Sequence, residues 1–225
     1  MRMLIHRFAG MLLSIFTVGT ASANEIQPCD KQSGRQCKIL KGVAIDFPAP
    51  IWISDGAPFL SNPTNAAEVD IRQTVLYLPP GQTFPDWDRA FSLLGFDFRR
   101  QRINGKPVSH LNVAAAHVAE MTKQCAQDRF YSQVLSENGR EINLIIFCEA
   151  GLRSDDQAGY DAHHGVIGLY SIFSFLGRVL GVSQEWRGAR FEVRDRTSWP
   201  VPPGELDLMQ ARLATIRVLG ETRRR

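Results

Sequence analysis

The sequence predicts an α+β fold: a mainly antiparallel sheet packed by a central helix at about 109–125 and a C-terminal helix at about 205–219. Strand-like and helix-like stretches are segregated along the 225 residues rather than alternating as strand–helix–strand units, which favours antiparallel pairing. The clearest stretch, 109–148, reads as a helix followed by a hairpin, with Cys125 closing the first and Cys148 the second. Those two cysteines suggest a helix stapled across a sheet.

Ser109 is a helix-capping residue type, and Leu111, Ala115, Val118, Met121 and Cys125 recur every three or four positions after it. That is the spacing of one helix face. Alternating runs at 130–135 and 142–147 follow, joined through Asn138-Gly139, a pair that accepts the positive φ angles of a tight reversal.

At the start of the chain, Arg2 and Arg7 flank an apolar run at 8–18 that is short for a bilayer span, and Ala21-Ser22-Ala23 suits signal-peptidase cleavage. Residues 1–23 are therefore expected to be a signal peptide cut after Ala23. The mature chain is then periplasmic or secreted, with no membrane span after cleavage. All four cysteines, Cys29, Cys37, Cys125 and Cys148, lie in that mature part, as suits an oxidising compartment. Four cysteines allow three pairings. Sequence neighbours meet most easily, so Cys29–Cys37 and Cys125–Cys148 are expected, stabilising by about 2.5 and 3.5 kcal/mol in the chain-entropy model.

Residues 24–68 are expected to form an irregular, disulfide-tethered segment. It is polar up to Lys41, alternates weakly at 43–47, and then meets Pro48, Pro50, Asp55-Gly56, Pro58 and Asn62-Pro63. An α+β domain at 69–198 follows. Its first strand is 69–78, with Ile71, Val75 and Tyr77 on one face and Gln73 interrupting, before Pro79-Pro80-Gly81 breaks it. Residues 87–98 fit both periods, and the alternating end Phe96-Asp97-Phe98 favours a strand.

Asn104-Gly105 then turns the chain towards the helix. After a polar loop at 151–165, runs at 166–175 and 179–186 read as sheet-core strands bent at Gly177 and Gly181. Residues 190–196 read as a strand with one wet face. A proline-rich linker at 199–204 leads to the final helix, opened by Glu205 and Asp207, lined by Leu206, Met209, Leu213 and Ile216, and stopped by Gly220. The basic tail Arg223-Arg224-Arg225 reads as a solvated terminus.

The chain carries 26 Lys and Arg against 23 Asp and Glu, a net charge of +3, and losing Arg2 and Arg7 with the signal leaves +1. This balance argues against a wholesale nucleic-acid or membrane-surface binder. No G-x-S-x-G, Walker loop or dinucleotide fingerprint occurs, and no cofactor is expected. The polar stretch 153–164 offers Asp155, Asp156, Asp161, His163 and His164 as candidate metal ligands, the basis of one alternative, a metal-assisted enzyme. Adjacent histidines rarely ligate one ion, and the same composition is that of an ordinary solvated loop.

His110 and His117, seven apart, share a helix face two turns apart and read as surface or boundary residues, with Glu120 a local polar partner for His117. Arg187, Arg190 and Arg194, with Arg178 and Arg196, offer a basic strip for an anionic glycan, the second alternative. Glu185, Glu192 and Asp195 dilute it, and a solvated sheet edge is the plainer reading. Trp87, Trp186 and Trp199 fit either core or partner anchors.

The element order and the segment from Leu76 through Pro79-Pro80-Gly81 to Trp87 resemble the PsbP-like superfamily over about 69–193. The proline-rich front piece and the C-terminal helix depart from that pattern. The resemblance implies a non-catalytic binding or assembly module and carries over no site residue. The expectation is an exported, non-catalytic accessory protein with a protein partner in the cell envelope and no nucleic-acid partner.

Overall fold

The most continuous apolar runs make the longest strands. β10 (His164–Phe175) and β11 (Arg178–Ala189) pair antiparallel along their whole length through the Leu176-Gly177 reversal. The computed structural model describes residues 35–53, 65–83, 86–151 and 163–221. Within them the remaining elements are β1 (Arg35–Leu40), β2 (Val43–Pro48), β3 (Asn65–Val69), β4 (Arg72–Tyr77), β5 (Arg89–Asp97), β6 (Arg102–Ile103) and β7 (Lys106–Pro107). Helix α1 (His110–Gln124), β8 (Phe130–Asn138), β9 (Glu141–Cys148), helix α2 (Glu205–Leu213) and β12 (Arg217–Glu221) complete the set.

Seven strands form one antiparallel sheet in the order β3-β4-β5-β11-β10-β9-β8, and β1-β2-β12 form a second, three-stranded sheet. Side chains alternate across the large sheet, so each central strand needs cover on both faces. On one face Phe91, Leu93, Ile167, Leu169, Leu180 and Trp186 pack against Leu40, Ile45 and Phe47 of the second sheet and Met209 and Leu213 of α2. On the other, Ile142, Leu144, Ile146, Tyr170 and Ile172 pack against α1. The segregated α+β architecture follows from that double burial.

Several expectations are corrected. Residues 35–48, expected to be irregular, form the β1–β2 hairpin, and Leu40, Val43, Ile45 and Phe47 are buried in the main core. Lys41 and Gly42 take positive φ there and reverse the chain, and Pro48 ends β2 rather than preventing it. The strand expected at 69–78 is a hairpin, reversed at Asp70. Gln73 interrupts the apolar face for a reason: its Oε1 accepts from the Lys41 backbone N–H at 2.8 Å. Gly181 bends nothing and stays in register opposite Leu94. Residues 190–195 form no strand, and a 3-10 turn follows at Arg196–Ser198.

The C-terminal helix stops at Leu213, because Thr215 and Ile216 bond back only three residues and tighten the chain out of helix. β12 then pairs with the open edge of β2. Asp46 fixes that join. Its carboxylate, 1% exposed, accepts from Arg35 Nε at 2.8 Å and from Arg217 Nε and Nη2 at 2.9 and 2.6 Å. Arg35 also reaches the Thr215 hydroxyl and carbonyl at 2.6 and 2.7 Å. Removing one member of a buried ion cluster strands the others. Asp46→Ala should lower unfolding free energy in urea by about 3 kcal/mol, and Arg217→Ala, a largely exposed partner, by about 1 kcal/mol.

Candidate functional site

α1 begins at Ser109, whose backbone N–H and hydroxyl both donate to the Asn112 side-chain oxygen, at 2.9 and 3.0 Å. Its buried face is His110, Ala114 and Met121, with Val113 and Val118 beside them, while Leu111 and Ala115 face solvent. The helix is therefore rotated from the expected stripe. Two pins set the rotation. At one end the His110 N–H donates to Ser174 Oγ of β10 at 2.7 Å, and His110 Nδ1 shares a bond with the same hydroxyl at 2.9 Å. At the other, Cys125 is bonded to Cys148 at the end of β9. Cys37 is disulfide-bonded as well; Cys29, its expected partner, lies outside the described residues.

His110 and His117, expected at the surface or boundary, thus both face the sheet, His110 buried and His117 half-buried at the boundary. The His117 ring meets Tyr170 edge-on at 4.4 Å between centroids. His117 is half-buried as a residue, but its Nε2 is sealed from solvent with no hydrogen-bond partner, as is Nε2 of His110. Burial pushes the His117 pKa down to about 4. Tyr170 leans over Gly168: a β-carbon at 168 would lie 2.4 Å from the tyrosine hydroxyl. That lean lets Tyr170 Oη donate to Glu185 Oε1 at 3.0 Å, and next to it Ser92 and Ser183 share a 2.6 Å hydroxyl–hydroxyl bond.

His117, Tyr170 and Ser183 border a cavity of about 30 Å³ walled chiefly by Leu94, Phe96, Val113, Ile172 and Val179. It has room for one or two waters. Chemically it is an apolar pocket with one imidazole on its lining that burial keeps neutral, an arrangement that responds to acid.

Asp155, Asp156 and Asp161 lie outside the described residues. His163 is exposed, and His164 opens β10 opposite Ala189. Among the described residues no three His, Cys, Asp or Glu side chains gather as a metal site would need. The arginine strip comes apart because β11 is an interior strand, not a sheet edge. Arg187 is buried, with its guanidinium 5.0 Å from the Trp87 ring centre and 3.5 Å from Asp86. Arg178 is buried on Glu221 at 2.6 Å, and Arg196 stacks on Trp199. Arg190 and Arg194 remain exposed.

The tryptophans are structural: Trp87 and Trp186 are buried, Trp186 Nε1 donates to Glu205 at 3.0 Å, and Trp199 packs on Phe147 at 5.1 Å. Sequence reasoning missed Ser174, Tyr170 and Glu185. A glycine two residues before a tyrosine within a strand was the available signal, since it leaves room for the ring.

No family model matches the chain, and no curated protein matches it. Among solved structures it is similar to the Ran-binding protein Mog1p of Saccharomyces cerevisiae, at 10% identity and a TM-score of 0.44, over 84% of this chain and 97% of that one.

Because the fold keeps His117 neutral, the folded state binds its proton less readily than the unfolded chain. Stability from this group is whole above about pH 6.5 and falls as pH drops from there towards 4, by up to about 3 kcal/mol. Urea midpoints of wild type and His117→Phe should run parallel near neutrality and diverge below about pH 6.5, the variant losing less.

Proposed function

We propose that the chain is an exported accessory protein of the cell envelope that docks a protein partner along β8. The observation that carries this reading is the state of that strand. Among the described residues β8 is an edge of the seven-stranded sheet, and Tyr131 and Val134 are 47% and 53% exposed. Its start is nonetheless held firmly, since Phe130 lies opposite Cys148, which is bonded to Cys125.

Sheet edges are commonly blunted by lysine, proline or a bulge. β8 contains neither lysine nor proline, and its register shift comes only between Val134 and Ser136. Residues 130–134 therefore present a straight, pre-ordered edge. Such an edge takes up an extended segment of another protein by strand addition, with backbone bonds supplying affinity and alternate side chains supplying selectivity. Export is supported by the signal-like residues 1–23 and by a cystine of the kind that persists outside the cytoplasm. Among the described residues no helix is long and apolar enough to cross a membrane. The PsbP-like pattern at 76–87 points the same way, to an assembly module.

The test is retention of envelope proteins by the mature chain and by Val134→Lys, which places a charge on the edge. A defined protein retained by the first and reduced about tenfold by the second, at equal melting temperature, is the expected result. Equal retention by both would remove the strand-docking reading.

A further inference from the structure

One end of the large sheet gathers the β3–β4, β10–β11 and β8–β9 reversals and the loop that leaves β5. Register sets them in a row: Arg72 lies opposite Phe96, Asp97 opposite Arg178, and Phe173 opposite Glu141. At a strand spacing of about 4.8 Å the row is roughly 25 Å long.

Leu176 crowns the β10–β11 reversal with φ of 46° and 67% exposure. The chain makes a similar reversal at Asn104-Gly105, with φ of 52° and 76°, against 46° and 77° at Leu176-Gly177. Asparagine tolerates left-handed backbone, whereas a bulky leucine is strained there. Leu176 thus combines backbone strain with apolar exposure at a position where an asparagine would serve the fold. Val69, 55% exposed, tops the β3–β4 reversal farther along the same row.

Basic side chains stand between and beyond these two tips. Arg99 and Arg100 follow β5 and are exposed, as is Arg140 at the β8–β9 reversal. Arg99 lies 3.1 Å from where a side chain on Gly177 would begin, and the Arg140 carbonyl accepts from the Ser174 N–H at 2.8 Å, so both adjoin the Leu176 turn. Acids are present too: Asp97 is held by Arg99, Glu68 by Lys41 and Glu141 by Asn143, while Asp70 and Glu137 are exposed.

We propose that this end is a membrane-contact edge, with Leu176 and Val69 entering an anionic bilayer surface and Arg100 and Arg140 resting on lipid phosphates, while Arg99 stays on Asp97. Guanidinium groups suit phosphate oxygens, and basic side chains gain from an anionic leaflet. A protein interface would offer a continuous apolar centre. Here the apolar groups are separate prongs about 14 Å apart on protruding turns, a shape a fluid surface accepts. The balanced overall charge keeps the contact local and reversible.

The test uses the chain from Asn24, which holds every described residue, with vesicles of phosphatidylcholine alone or mixed equally with phosphatidylglycerol. Co-sedimentation should occur with the mixed vesicles and weaken as salt is raised. Leu176→Asn should lower it about tenfold while holding or raising the melting temperature, since asparagine suits the turn. Arg100→Gln with Arg140→Gln should lower binding to the anionic vesicles as well. Absence of wild-type binding, equal binding by Leu176→Asn, or retention on polyglutamate in preference to vesicles would overturn the proposal, the last assigning the edge to an acidic protein. None of these variants touches β8, so the strand-docking reading stands or falls apart from this one.

Discussion

The bond between Cys125 and Cys148 ties the last turn of α1 to the last residue of β9, and the helix side of the molecule is arranged around it. A helix of this length is marginal by itself in water. Here it is pinned twice, covalently at its C-terminal end and through the Ser174 hydroxyl at its N-terminal end. With both ends fixed, rotation about the helix axis is no longer set by the widest apolar stripe. Two histidines turn inward, and Tyr170 fills the room over Gly168. The knot extends past the bridge: the Ala126 N–H donates to the Ala150 carbonyl, and Glu149 holds both Arg129 and the Val193 N–H.

Burial of the central strands on both faces also limits where polar groups can go. Gln73, Gln184 and Glu205 each take a bond from a neighbouring layer or strand, from Lys41, Ile51 and Trp186 respectively. Buried polar groups left unpaired are costly, so these bonds lock the layers in one arrangement. The rigidity bears on function. A sheet that does not slide can offer a straight edge along β8 and a fixed row of turns at one end, two surfaces that face different directions.

The broad fold was legible because its signals are local. The capped helix, the long apolar runs at β10 and β11 and the β8–β9 hairpin each announce themselves within a dozen residues, although the hairpin turns at Gly139 and Arg140 without the positive φ expected of Asn138-Gly139. What escaped depends on pairings distant in sequence. Residues 35–48 read as irregular until β12 joins them, and Asp46 needs Arg217, far along the chain, before a buried carboxylate makes sense there. The arginines after 178 read as a strip because alternation alone does not say that β11 lies between β5 and β10. His110 and His117 were correctly placed on one helix face, but which way that face turns was decided by Ser174 and Cys148, on other elements.

Peptide mapping of the protein under non-reducing conditions tests the central bond most directly. The account predicts one cross-linked species joining the peptides that contain Cys125 and Cys148. Free thiols at those positions, or either cysteine joined to Cys37 instead, would contradict it and release the helix from the hairpin on which the rest is built.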